Sequence, residues 1–103
     1  MTGKINILYI GRHPEITETV NRLLNNNDEW HGLCTTLDHE AQALFKAHNI
    51  TIVLLGNGIS KEEESELRSF FAEYNPAAKI VQHYGGGSGL LKSEIYMALN
   101  SNT

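Results

Sequence analysis

Arg12, His13, Asn57, His83, Tyr84 and Ser88 share a setting: each lies just beyond an apolar run, in or beside a segment that carries glycine. Arg12 and His13 belong to Gly11-Arg12-His13-Pro14 and Asn57 to Gly56-Asn57-Gly58. His83, Tyr84 and Ser88 flank Gly85-Gly86-Gly87. Glycines let backbone N–H groups turn toward a ligand, a helix N-terminus behind them favours negative charge, and arginine adds a forked donor. The chemistry of such a set is the binding of a small anion: a phosphate, a carboxylate or a nucleotide phosphate held by Arg12 and residues 85–89. The same residues also fit a tight turn with Ser88 as the N-cap of the next helix. The loop lacks the Gly-Lys-Ser/Thr ending of a Walker motif. It follows the last strand rather than the first, so it is not a dinucleotide fingerprint either.

Covalent and metal chemistry find less support. None of the five histidines forms an i, i+4 pair, and His13, His83 and Asp38 make only a thin metal set. One cysteine, Cys34, excludes an internal disulfide and any multi-cysteine metal site. It falls in a predicted strand, where a buried inert thiol is expected. No catalytic residue, metal or cofactor is implied.

The elements that place these residues follow from periodicity. Ile50-Thr51-Ile52-Val53-Leu54-Leu55 is a short apolar run without alternation, the pattern of a strand buried on both faces of a parallel sheet. Ile5 to Ile10 reads as another strand, and Pro14 opens a helix with Ile16, Val20, Leu23 and Leu24 inward. Trp30 to Leu37 reads as a half-polar edge strand. Asp38 is then the N-cap of a helix burying Ala41, Leu44 and Phe45. Ser60 and Glu63 form a capping box before a helix with Leu67, Phe70, Phe71 and Tyr74 inward. Lys79 to Tyr84 is the fourth strand, and a last helix turns Leu91, Ile95, Ala98 and Leu99 inward. Four alternating βα units imply one domain over residues 1–103, a three-layer α/β/α sandwich of flavodoxin-like type. The expected strand order is 2-1-3-4.

Composition narrows the partners. Of 103 residues, 41% are hydrophobic and 19% charged, as in an ordinary globular domain. Lys and Arg number 8 against 12 Asp and Glu, a net charge of −4, which argues against nucleic acid as a partner. No run approaches membrane-spanning length, and the N-terminus enters a strand with no signal-peptide pattern. A cytoplasmic protein without membrane contact is therefore expected.

From about residue 4 to 84 the chain resembles the receiver domain of two-component response regulators. The likeness rests on Ile7-Leu8-Tyr9-Ile10, on Asp38-His39-Glu40-Ala41-Gln42-Ala43-Leu44 before Ile52-Val53-Leu54-Leu55, and on Glu66-Leu67-Arg68 through Asn75-Pro76 to Lys79-Ile80-Val81. The resemblance implies a receiver-like fold and a signalling role, but the residues that carry the family's chemistry are replaced. Gly11 and Arg12 stand where an acidic pair binds magnesium, and Gly56 stands where the phospho-acceptor aspartate ends the third strand. His83 takes the place of the hydroxyl residue that reads the phosphoryl group. The fifth strand and its lysine have no counterpart: either the fourth helix and fifth strand are deleted, or the last helix replaces the fifth. Magnesium needs carboxylate oxygens, and an acyl phosphate needs a carboxylate nucleophile. The expectation is a non-catalytic, receiver-like module that meets an unidentified signalling protein, with no effector domain attached. Anion binding at the glycine-rich loop is the alternative. Without a fifth strand the fourth is an open edge, which predicts a homodimer through that edge or the last helix, with Tyr84, Leu90, Tyr96 and Met97 as contacts.

Overall fold

A computed structural model describes residues 4–83 and 88–100. The element order is β1 (Ile5–Ile10), α1 (Pro14–Asn25), β2 (Trp30–Thr35), α2 (Asp38–Ala47), β3 (Ile50–Leu55), α3 (Lys61–Tyr74), β4 (Lys79–Gln82) and α4 (Ser88–Leu99). The four strands form one parallel sheet in the order β2-β1-β3-β4, as the alternation of units requires.

Strand periodicity divides the core in two. Ile7, Tyr9, Ile52 and Leu54 face α1 and α4, packing with Val20, Leu24, Leu91, Ile95 and Ala98. Leu8, Ile10, Val53 and Leu55 face α2 and α3, packing with Ala41, Phe45, Leu67 and Phe71. The rings of Phe45 and Phe71 meet with centroids 4.4 Å apart and tie α2 to α3. Burying aromatic rings this fully contributes about 3–5 kcal/mol each by the cost of truncation. The last helix returns over the α1 face instead of continuing on the α2–α3 face.

Several local expectations change. In α1 the inward residues are Thr17, Val20 and Leu24, whereas Ile16 is about half exposed. Thr17, Val20 and Leu24 keep the i, i+3, i+7 spacing of one face, and Ile16 falls one residue off it. Leu67 and Phe71 are buried in α3, but Tyr74 at the helix end is exposed and stacks on the Phe70 ring. β2 ends at Thr35, and the N-cap of α2 is Leu37 rather than Asp38. Thr35 does the local work there: its hydroxyl accepts from Leu37 N and donates to the Glu40 carboxylate. β4 ends at Gln82, and Tyr84 lies outside the described residues. No helix among the described residues is long and apolar enough to cross a membrane.

The β2 edge is capped at Gly32 from within the chain. Asn25, at the end of α1, accepts from Gly32 N at 2.9 Å and donates to Gly32 O at 3.2 Å, as a neighbouring strand would. The approach needs glycine: a Cβ at position 32 would come within 2.6 Å of Leu24 Cβ.

Candidate functional site

At the carboxyl end of the sheet, where doubly wound folds place their ligands, two polar clusters flank one buried phenol. Tyr9, next to last in β1, is 2% exposed and turns toward the ends of β1 and β3. A Cβ on Gly56 would land on the Tyr9 hydroxyl and lie 2.8 Å from Cζ, and one on Gly11 would meet the ring at 2.8 Å from Cε2. Two of the three positions where the resemblance to receiver domains would place a carboxylate, 11 and 56, are thus glycine for a shared steric reason. Tyr9 has the room that those side chains would need. Burial, with the neighbouring Cys34 adding to it, holds the Tyr9 phenol above its ordinary pKa, so it stays neutral.

On one side lies Arg12, with its side chain 21% exposed. Its Nη2 donates to Asp38 Oδ1 at 2.7 Å and Glu63 Oε1 at 3.2 Å, and its Nη1 to the carbonyls of Thr36 at 3.1 Å and Gly11 at 3.2 Å. Asp38 opens α2 and Glu63 lies in the first turn of α3, so one guanidinium ties the β1 loop to both helix starts. Burial opposes the Arg12 charge, but hydrogen bonds to Asp38 and Glu63 outweigh it and hold the pKa above its usual value. Glu63 sits below the ordinary glutamate range because Ser60 N and then Arg12 donate to its carboxylate. The guanidinium faces two carboxylates, so its charge is compensated by the protein. This differs from the expected role of Arg12 as an anion donor.

On the other side His83 is 6% exposed, and its Nδ1 meets Glu94 Oε1 of α4 at 2.5 Å. The His83 ring packs edge-on against Tyr9 with centroids 6.0 Å apart. The pair fastens α4 across the sheet end.

Of the remaining predicted site residues, His13 and Asn57 are exposed, and Gly56 is buried under Tyr9. Gly58, at φ +92°, packs on the Arg12 stem, bringing the two loops together. Gly85, Gly86 and Gly87 lie outside the described residues, and Ser88 begins α4. Among the described residues no group of three His, Cys, Asp or Glu side chains is placed to hold a metal. Burial pushes the Cys34 thiol up to about 12, which keeps it protonated.

Tyr9, Glu63 and Glu94 are the site residues that sequence reasoning missed. A signal for Tyr9 was present: glycines end or follow two adjacent apolar strands, which fits a bulky neighbour at both. No model of a known protein family matches the chain, and no curated protein matches it.

Proposed function

We propose that this chain is a non-catalytic, receiver-like signalling module that acts through protein contacts, as a dimer in the cytoplasm, rather than by phosphoryl transfer. The observation that supports this most is the seat of Tyr9 over Gly11 and Gly56: the region where the resemblance would require an acceptor carboxylate and magnesium ligands is filled by a neutral phenol. Arg12 adds to it by placing a compensated positive charge where a magnesium ligand would otherwise stand.

Affinity purification from the native source, with and without acetyl phosphate and magnesium, tests the proposal. The expected result is a co-purifying protein whose retention does not change with the phosphodonor, and a chain that carries no phosphate. Magnesium-dependent phosphate on the wild-type chain contradicts the proposal. So does the absence of any partner combined with thermal stabilisation by phosphate or a nucleotide.

A further inference from the structure

We propose that a second copy of this chain pairs with the free edge of β4, antiparallel, about a twofold axis at Val81; this deepens the interaction-module reading and rests on it. The two edges of the sheet differ. The outward peptide groups of Gly32 in β2 are taken up by the Asn25 side chain. At the other edge His83 N donates to Leu55 O, so by strand alternation Lys79, Val81 and His83 turn their peptide groups toward β3. Ile80 and Gln82 turn theirs outward, and among the described residues no hydrogen bond reaches those peptide groups. An open edge with two such residues calls for another strand.

The edge suits a copy of itself. Residues opposed in an antiparallel pair share a face, so a twofold axis normal to the sheet must pass through a residue position. Centred on Val81, Ile80 pairs with Gln82 of the second copy and Gln82 with Ile80 of the second copy. Every outward N–H and C=O of these residues is then used. Val81 meets its own equivalent as a close, non-hydrogen-bonded pair on the α4 face, where it already packs against the core. Lys79 falls opposite His83 of the second copy, whose imidazole carries the Glu94 carboxylate, so no two like charged side chains are set facing each other as a pair of lysines would be.

The surroundings supply apolar cover. A groove of about 560 Å³ runs beside the edge, lined by Ala77, Ala78, Ile80, Val81 and Ala98, with Pro76 and the charged Lys79 also on its wall. Met97, next to Ala98, is 73% exposed and Leu90 on the same helix is 41% exposed, whereas Tyr96, expected at the same contact, turns its ring against Trp30 of β2. With Leu91 and Ile95 buried on its other side, α4 is apolar around most of its circumference, the pattern of a helix covered on both sides.

Sedimentation equilibrium at tens of micromolar, together with cross-linking in a Cys34→Ser background, tests this. The wild-type chain is expected at twice the monomer mass. Under mild oxidation Val81→Cys is expected to give a covalent dimer, since Cα atoms about 4.5 Å apart in such a pair fall within disulfide reach. Ile80→Cys is expected to give none. Val81→Lys and Val81→Glu should each sediment as folded monomers by circular dichroism, and an equimolar mixture should recover the dimer. A wild-type monomer overturns the proposal, and so does cross-linking through Ile80→Cys in place of Val81→Cys. A monomer that takes up no phosphate removes the dimer from both proposals and leaves the non-catalytic interaction module standing. A Val81-linked dimer that is phosphorylated in its wild-type form removes the functional reading alone.

Discussion

Tyr9 and the two glycines around it form a steric unit in which the ring stands where two side chains would. Adding a methyl group at position 56 forces it against the phenol and should cost about 1–3 kcal/mol, the usual range for overpacking. Because the hydroxyl is the nearest atom, Tyr9→Phe should recover part of that loss. Urea unfolding of Gly56→Ala, Tyr9→Phe and the double variant should therefore give a coupling energy of favourable sign, and strict additivity would contradict the packing. Cys34 gives a second prediction at this scale. Its thiol, pushed up to about 12, should label slowly at pH 8 in the folded protein and rapidly in urea. Its contribution to stability is intact below the unfolded thiol pKa and declines as pH rises above it, because only the unfolded state then loses the proton. Rapid labelling of the native chain would mean that Cys34 is exposed. Cys34 is only partly buried, less than its place in a strand suggested, because β2 is an edge strand. The partners of Arg12 were not legible in the sequence, since Asp38 and Glu63 lie 26 and 51 residues away and are brought together by the fold.

Among the elements, α3 has the start its sequence announces. Ser60 Oγ accepts from Glu63 N at 3.1 Å while Glu63 Oε1 accepts from Ser60 N at 3.1 Å. That contact is local, three residues apart, which is why spacing alone revealed it. Its link to the rest of the molecule is Arg12, which shares the Glu63 oxygen and joins α3 to α2 and β1. Arg12→Ala should cost about 1–2 kcal/mol in denaturant unfolding, since charged hydrogen bonds to two carbonyls and two carboxylates go together, partly screened by solvent. Arg12→Lys should restore less than half of it, lacking the fork. Loss of less than about 0.3 kcal/mol in Arg12→Ala, the low end for exposed pairs, would mean that the network does not hold the helix starts together. The depressed Glu63 pKa gives the sign of the acid response: its contribution is present above the unfolded glutamate pKa and fades as pH falls through the folded value. Arg12→Ala should flatten that acid limb, whereas Ser60→Ala, which keeps the backbone N–H that donates to Glu63, should leave most of it. The start of α2 resisted prediction because Asp38 is already its first residue, while Thr35 of the preceding strand holds Leu37 N and Glu40 from outside the helix.

For the whole molecule, strand order and layers followed from the alternation of four strands and four helices, since right-handed connections leave few arrangements. The return of α4 to the α1 face did not follow. It depends on His83 and Glu94 meeting across the sheet end and on Leu91, Ile95 and Ala98 finding the surface left by Ile7, Ile52 and Leu54. The β4 edge was legible as a consequence of strand count, while the capping of Gly32 on the β2 edge by Asn25 required the structure. At the sheet end a flavodoxin-like frame carries a buried phenol between two clusters whose carboxylates are already paired, Asp38 and Glu63 with Arg12 and Glu94 with His83. The most direct test is intact-mass analysis of Gly56→Asp after incubation with acetyl phosphate and magnesium. The expected result is a destabilised protein with no phosphoryl adduct, because Tyr9 crowds the new carboxylate and Gly11 and Arg12 offer magnesium no acid. A phosphoryl adduct on the Gly56→Asp variant that the wild-type chain does not acquire would contradict the non-catalytic reading.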